Sequence, residues 1–245
     1  MKGWAAFFFL GMTTLGAHAQ TTLGLTLGTE HLDNGSPDWR ETSIGLQHRF
    51  APRHTAGVAL TRTERFNLRD SQISANYALP AGERTVVSLD ANASSTHRVL
   101  ARHGGGATVQ YEFAPAWLVH AGARTTRYAD ERVNQGLLMV EHYFSAFSAS
   151  LGWRPARAFD STAHSGELRG AYYYGERNSV GLILAGGKEA ASIAGAVTLT
   201  SLRSAVVVGR HWLNRDWAVN YSLGRTRQGD FYSRNGISLG LQHTF

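Results

Sequence analysis

Two groupings of side chains in this sequence have the residue types of a hydrolytic centre. His97 and His103 lie close to Ser94, Ser95 and Asp90, and His164 lies between Asp160 and Ser165. A hydroxyl nucleophile needs a base within hydrogen-bond reach and a third group to orient that base, and each grouping holds such parts. Short segments rich in Ser and His also produce these neighbours without any catalytic role. The eleven His raise metal binding in the same way. His120 and His142 would face each other if the strands carrying them pair in one register. Neither H-x-x-E-H nor H-E-x-x-H accompanies them, and no carboxylate cluster does, so neither a metal nor a cofactor is expected. Gly104-Gly105-Gly106 lacks the Lys-Ser/Thr of a phosphate cradle and reads as a bend entering a strand.

The elements that must position these residues are strands. After residue 20 apolar residues recur with period two. Val87, Leu89, Ala91 and Ala93 alternate with Ser88, Asp90, Asn92 and Ser94, and Trp217, Val219, Tyr221 and Leu223 alternate with Ala218, Asn220, Ser222 and Gly224. Such a pattern is that of a strand with one apolar face. The 27 Gly penalise helices. Aromatic strand ends meet tight turns at Phe50, Leu79, Phe113, Phe144, Tyr174 and Leu213, and the same ending recurs at Phe245. These points lie roughly 30 to 40 residues apart, enough for two strands of about ten residues and a longer loop. The spacing predicts strands at 21–31, 39–50, 54–66, 70–80, 84–96, 103–113, 116–128, 134–144, 146–154, 165–175, 178–187, 200–212, 216–228 and 233–245. That is about fourteen, within a range of about twelve to sixteen. Longer loops are expected at 32–38, 97–102, 129–133, 155–164 and 188–199. None is long enough for a plug or a constriction loop.

Export is predicted from the first 19 residues. Lys2 precedes an apolar stretch, Trp4 to Met12, that is too short to cross a bilayer as a helix, and Ala17-His18-Ala19 has the form of a cleavage site. Residues 1–19 read as a cleaved signal peptide, and 20–245 as one domain. The absence of Cys excludes a disulfide framework. Lys and Arg number 24 against 18 Asp and Glu and are spread along the chain, whereas a nucleic-acid binder would gather them in a patch. No later window is apolar enough for a membrane helix. Two all-β classes remain, a soluble sandwich and a membrane barrel. Phe50, Tyr77, Phe113, Phe144, Tyr174, Trp212 and Phe245 stand near one end of successive strands, and Trp39, Phe66, Tyr128 and Phe231 near the other. Two such belts match the interfacial girdles of a transmembrane barrel. A last strand in phase with a terminal Phe245 matches an outer-membrane assembly signal. The polar face serves either class, since a sandwich turns it to solvent and a wide barrel turns it to its lumen. The balance points to an antiparallel, up-and-down transmembrane β-barrel. Its mean hydropathy is only −0.23 because half of each strand faces away from lipid.

Three segments carry a resemblance: GTEHLDNGSPDWRETSIGLQHRF (28–50), RTERFNLRDSQISANYAL (62–79) and YSLGRTRQGDFYSRNGISLGLQHTF (221–245). Together they are similar to the YaiO family of outer-membrane β-barrel proteins across the mature chain. The resemblance implies the fold and an outer-membrane location, without catalytic residues. Some members are associated with cell-surface polysaccharide systems. The first expectation is therefore a passive pore or envelope barrel, the second an accessory in surface polysaccharide export or modification, and the third an outer-membrane enzyme. Lumen-facing candidates are Arg49, Asp90, Glu112, Glu167 and Arg169. Outer-rim candidates are Arg65, Arg69, Arg98 and Arg102, because guanidinium groups suit bidentate contact with phosphate or carboxylate. Expected partners are outer-membrane lipid and lipopolysaccharide, the barrel assembly machinery, and a polysaccharide or small anionic solute.

Overall fold

A computed structural model describes residues 20–193 and 196–245. The segment read as a signal peptide lies outside the described residues. Fourteen strands follow one another: β1 (Gln20–Leu32), β2 (Trp39–Ala51), β3 (His54–Arg65), β4 (Leu68–Pro80), β5 (Thr85–Ser94), β6 (His103–Ala114) and β7 (Trp117–Arg127). They continue as β8 (Arg132–Phe144), β9 (Phe147–Ala158), β10 (Ser161–Tyr174), β11 (Asn178–Ile193), β12 (Ala196–Trp212), β13 (Trp217–Gln228) and β14 (Tyr232–Thr244). Each pairs antiparallel with its sequence neighbours, and β1 pairs with β14 from Thr22↔Thr244 to Leu32↔Arg234, so the sheet closes. Closure removes the free edge that hydrocarbon could not satisfy.

Period-two alternation assigns every strand one outward and one inward face. Leu23, Leu25 and Leu27 of β1, Ile44 and Leu46 of β2, and Ile237, Leu239 and Leu241 of β14 are exposed on the outside. The inward positions between them hold Thr22, Gly24, Thr26 and Gly28 on β1 and Ser238, Gly240 and Gln242 on β14. An apolar skin over a small, polar interior is the inverse of a soluble core and suits a bilayer around a wet lumen.

The end carrying Gln20 and Phe245 is the inner end by the short-turn rule, and the opposite end is the outer end. Inner-end connections are tight, and Arg53, Ala116 and Ser145 adopt positive φ within them. Phe50, Tyr77, Phe113, Phe144 and Phe245 form the inner girdle, joined by outward histidines. His142 stacks on Trp117 at 4.0 Å, and the His54 ring nitrogen lies 2.8 Å from the Tyr77 hydroxyl.

The outer end departs from expectation. Residues 155–164 and 188–199 were expected as loops but are mostly strand. β9 and β10 run on to a tight turn at 159–160, and β11 and β12 pair as far as Ile193↔Ala196. The outer aromatic girdle is not formed by the expected residues. Trp39 lies at an inward position and is 4% exposed, and Phe66 packs on it. Tyr128 packs inward against Val133 and Ala156. Of the four, only Phe231 is exposed. At the inner end Trp212 also faces inward by alternation, capped by the Arg177 guanidinium 3.8 Å from its ring.

Candidate functional site

The lumen wall is built from small residues punctuated by paired charges. Alternation turns Arg49, Asp90, Glu112, Glu167 and Arg169 inward. Asp90 pairs with Arg124 of β7, which also donates to Asn92. The glycine run makes room for this cluster. A Cβ at Gly106 would meet Asp90 Oδ1 at 3.0 Å and Arg124 Cβ at 3.1 Å, and one at Gly104 would meet Arg124 Nη2 at 3.1 Å. Gly104–Gly106 therefore lies within β6 as regular strand, correcting the expected bend. Glu167, 4% exposed, is held between Arg169 and Arg154, whose Nε lies 3.5 Å from its carboxylate. His120 Nε2 lies 3.1 Å from Glu141. Arg49 donates to Gln20 at the inner end, and Glu112 accepts from the Ala116 N–H at 3.2 Å. Near the same end Tyr143 and Tyr173 stack inside the barrel at 6.3 Å. Arg124, Arg154 and Glu141 were missed in the sequence. The alternation of Ala121 and Ala123 around Gly122 marked Arg124 as inward.

The outer mouth is filled from two sides. β10 stops pairing with β11 at Ser165↔Gly187, and β13 stops pairing with β12 at Leu202↔Gln228, while β11 and β12 continue together. Beyond Gly187 they form a two-stranded ribbon without lateral ladder partners. Gly187 has φ +127, and a Cβ there would overlap the His164 carbonyl and sit 2.7 Å from Ser165 Cα. Only glycine fits this bend. The ribbon folds inward over the mouth. Ala190 and Val197 pack on Val133, Ala156 and Ala158, so β11 reaches past β10 to β9. Ile193 packs against the cluster of Leu32, Trp39, Phe66 and Tyr232. Val197 N donates to Asp130 at 3.1 Å, and Gln228 donates to Glu189 at 3.2 Å. Burial within this assembly pushes the Tyr128 phenol up to about 12.

The second element is the segment 95–102 between β5 and β6. Asp70, at an inward position of β4 and 2% exposed, accepts from the backbone N–H groups of Val99 at 2.7 Å and Leu100 at 2.8 Å. Thr96 donates to the same carboxylate at 2.5 Å. Val99 and Leu100 are buried. This segment narrows the mouth, correcting the expectation that no loop would do so. Both features depend on apolar loop residues, and that was the available signal. Ala190, Ala191, Ile193, Val197 and Leu199 are more apolar than a solvated loop needs to be.

The rim arginines divide. Arg65 faces inward at 6% exposure, with its guanidinium 4.6 Å from the Trp39 ring and 3.7 Å from Glu41, so it belongs to the mouth and not the rim. Arg234 lies over the same ring at 5.0 Å and 3.1 Å from Glu30. Arg69 stays outside, paired with Glu64 at 2.9 Å. Arg98 and Arg102 are exposed on the segment 95–102.

The hydrolytic groupings do not assemble. His164 faces outward, stacked on Trp153, while Ser165 faces inward and donates to the Arg154 carbonyl at 3.3 Å. Asp160 is exposed and pairs with Arg157. Asp90 is held by Arg124, and Ser94 accepts from Gln72 at 3.2 Å. His120 faces Met139 across the ladder, and Trp117 faces His142, so the two histidines stand on opposite faces.

The family model described as the YaiO membrane beta barrel domain matches residues 20–191. Among solved structures the chain is similar to the CymD monoaromatic hydrocarbon channel at 13% identity, over 94% of this chain and 88% of that one, with a TM-score of 0.64. It is similar to the Acinetobacter baumannii outer membrane protein Omp33 at 11% identity, over 92% and 99%, with a TM-score of 0.56. The anion-selective porin from Comamonas acidovorans is similar at 10% identity, over 94% and 99%, with a TM-score of 0.51. At these identities the likeness is one of fold. No curated protein matches the chain.

Proposed function

We propose, from the premise that this chain belongs to the YaiO membrane β-barrel family, that it is an outer-membrane channel for small polar solutes whose outer mouth is gated by the β11–β12 ribbon. One observation carries the reading. The inward face is lined by Gly, Ser and Thr with ion pairs, while the apolar side chains that close it sit on a ribbon that shares no backbone ladder with a neighbouring strand and is tied to β13 by the side-chain bond from Gln228 to Glu189. A wall of this kind holds water, and a closure of this kind can leave without dismantling the barrel. Arg124 is paired with Asp90, and Arg154 and Arg169 share Glu167, so these lumen charges offset all but one arginine and ion selectivity is weak. A channel, and not a hydrolase, also fits the dispersal of the Ser, His and Asp groupings over both faces of the wall.

Planar-bilayer recording tests this. The intact protein gives small or infrequent current steps. Replacing 189–198 by a two-residue turn enlarges them several-fold. Silence from both proteins would overturn the channel reading. The stacked Tyr143–Tyr173 pair favours a second reading, in which a glycan segment occupies the lumen, because sugar faces pack on aromatic rings. In that case added oligosaccharide blocks the current, and Tyr173→Ala relieves the block.

A further inference from the structure

The outer wall between β6 and β10 carries a feature that the lumen does not need. β8 and β9 are paired at Asn134↔Arg157 and Gln135↔Ala156, and again from Leu138↔Trp153, with the ladder interrupted between. Pro155, which has no N–H to donate, lies in this gap, where its ring would sit 3.0 Å from a Cβ at Gly136. Gly105, Ala123, Thr125, Gly136, Pro155 and Thr162 open a notch here of about 430 Å³ on the outward face. Within these strands Leu138 and Trp153 are the last large apolar side chains facing outward before it. The notch therefore lies where the hydrocarbon-facing band ends.

Directly above stand two arginines and a histidine. Arg127 and Arg132 face each other across β7 and β8, and His103 faces Arg127 across β6 and β7. Arg157 lines the notch itself and is paired with Asp160. Residues opposed in a ladder stand about 5 Å apart, and like charges so placed repel. Neither Arg127 nor Arg132 has an ion-pair partner among the described residues. An apolar notch open to the bilayer, below guanidinium groups that lack counter-ions, matches an amphiphile with an acyl chain and a phosphate.

We propose that this notch is a specific site for a phosphorylated glycolipid of the outer leaflet, of the lipid A type, with one acyl chain against Ala123 and Gly136 and a phosphate between Arg127 and Arg132. It requires a membrane barrel, but is independent of whether the lumen conducts. Bidentate guanidinium–phosphate bonds supply the affinity, and the notch supplies the preference for a lipid over a free anion.

Native mass spectrometry of the full barrel in detergent, incubated with bisphosphorylated lipid A, tests the site. One lipid is retained at the lowest lipid ratios. The double variant Arg127→Gln/Arg132→Gln and the notch-filling Ala123→Leu each weaken retention roughly tenfold or more. Dephosphorylated lipid A binds comparably weakly, and millimolar inorganic phosphate leaves the lipid in place. Circular dichroism checks that both variants keep their β signal, and Thr125→Leu replaces Ala123→Leu if that chain does not fold. Unchanged retention in the folded variants, equal binding of dephosphorylated lipid, or displacement by inorganic phosphate would each overturn the proposal. Bilayer conductance, recorded on the same variants, separates this outcome from the channel reading.

Discussion

At the residue scale, the charges that matter most are those with a single counter-ion. Among the described residues Arg124 is the one side chain in an ion pair with Asp90, and Gly104 and Gly106 make room beside them. Arg124→Ala leaves the Asp90 carboxylate uncompensated, so the reversal potential measured across a salt gradient shifts toward cation preference. No shift would place the pair outside the conduction path. Asp70 gives a second test. Its carboxylate accepts from two buried backbone N–H groups, and Asp70→Ala leaves both donors unmet at about 1–3 kcal/mol each. The segment 95–102 then loosens, and trypsin cleaves faster at the exposed Arg98 or Arg102. An unchanged cleavage rate would mean that Val99 and Leu100 hold the segment by burial alone. Alternation made the inward orientation of Arg49, Asp90, Glu112, Glu167 and Arg169 legible. Arg65 was misplaced because it ends its strand, where a rim position and a mouth position share the same parity.

At the element scale, the ribbon formed by β11 and β12 is the feature least visible in the sequence. Ala190, Ala191, Ile193, Val197 and Leu199 follow Gly186-Gly187 without a clear period of two, and the glycine pair has the composition of a loop. Glycine marks a bend here, and the strands resume beyond it. The physical reason for the miss is that pairing between β11 and β12 is local, while the decision to fold inward rests on contacts with Val133, Ala156 and Trp39 far away in sequence. Gly187→Val tests the bend. The added side chain meets Ser165 Cα and must adopt φ +127, a strain of about 1–3 kcal/mol. The ribbon swings outward, and a cysteine placed at Ile193 reacts with a membrane-impermeant maleimide several-fold faster than in the Gly187 parent. Equal labelling rates would show that the ribbon does not hinge there. Backbone hydrogen exchange would be a poor monitor, since the two strands keep bonding each other as they move.

At the scale of the whole molecule, the barrel itself was legible because one rule, apolar at every second residue, repeats through fourteen strands, and the hairpin spacing set their number. What fills the mouth was not legible. Trp39, Phe66 and Tyr128 sit at strand ends, where an interfacial girdle and an inward plug demand the same residue types, and only tertiary packing tells them apart. The lipid-facing Leu, Ile and Val side chains predict that the purified barrel stays folded in detergent micelles and aggregates when detergent is removed, as light scattering would report. The closure of the barrel has a kinetic consequence. Thr22 and Thr244 share a side-chain hydrogen bond across 222 residues of sequence, and the whole β1–β14 seam is equally distant. Loop-closure entropy makes so non-local a pairing slow. Until the last strand arrives, the first has an unsatisfied edge, and every leucine of the future lipid face is exposed to water. The rate of this final seam, and not the stability of any hairpin, then decides whether the chain inserts or aggregates, so a holding chaperone and a template for the open edge would act on the same step.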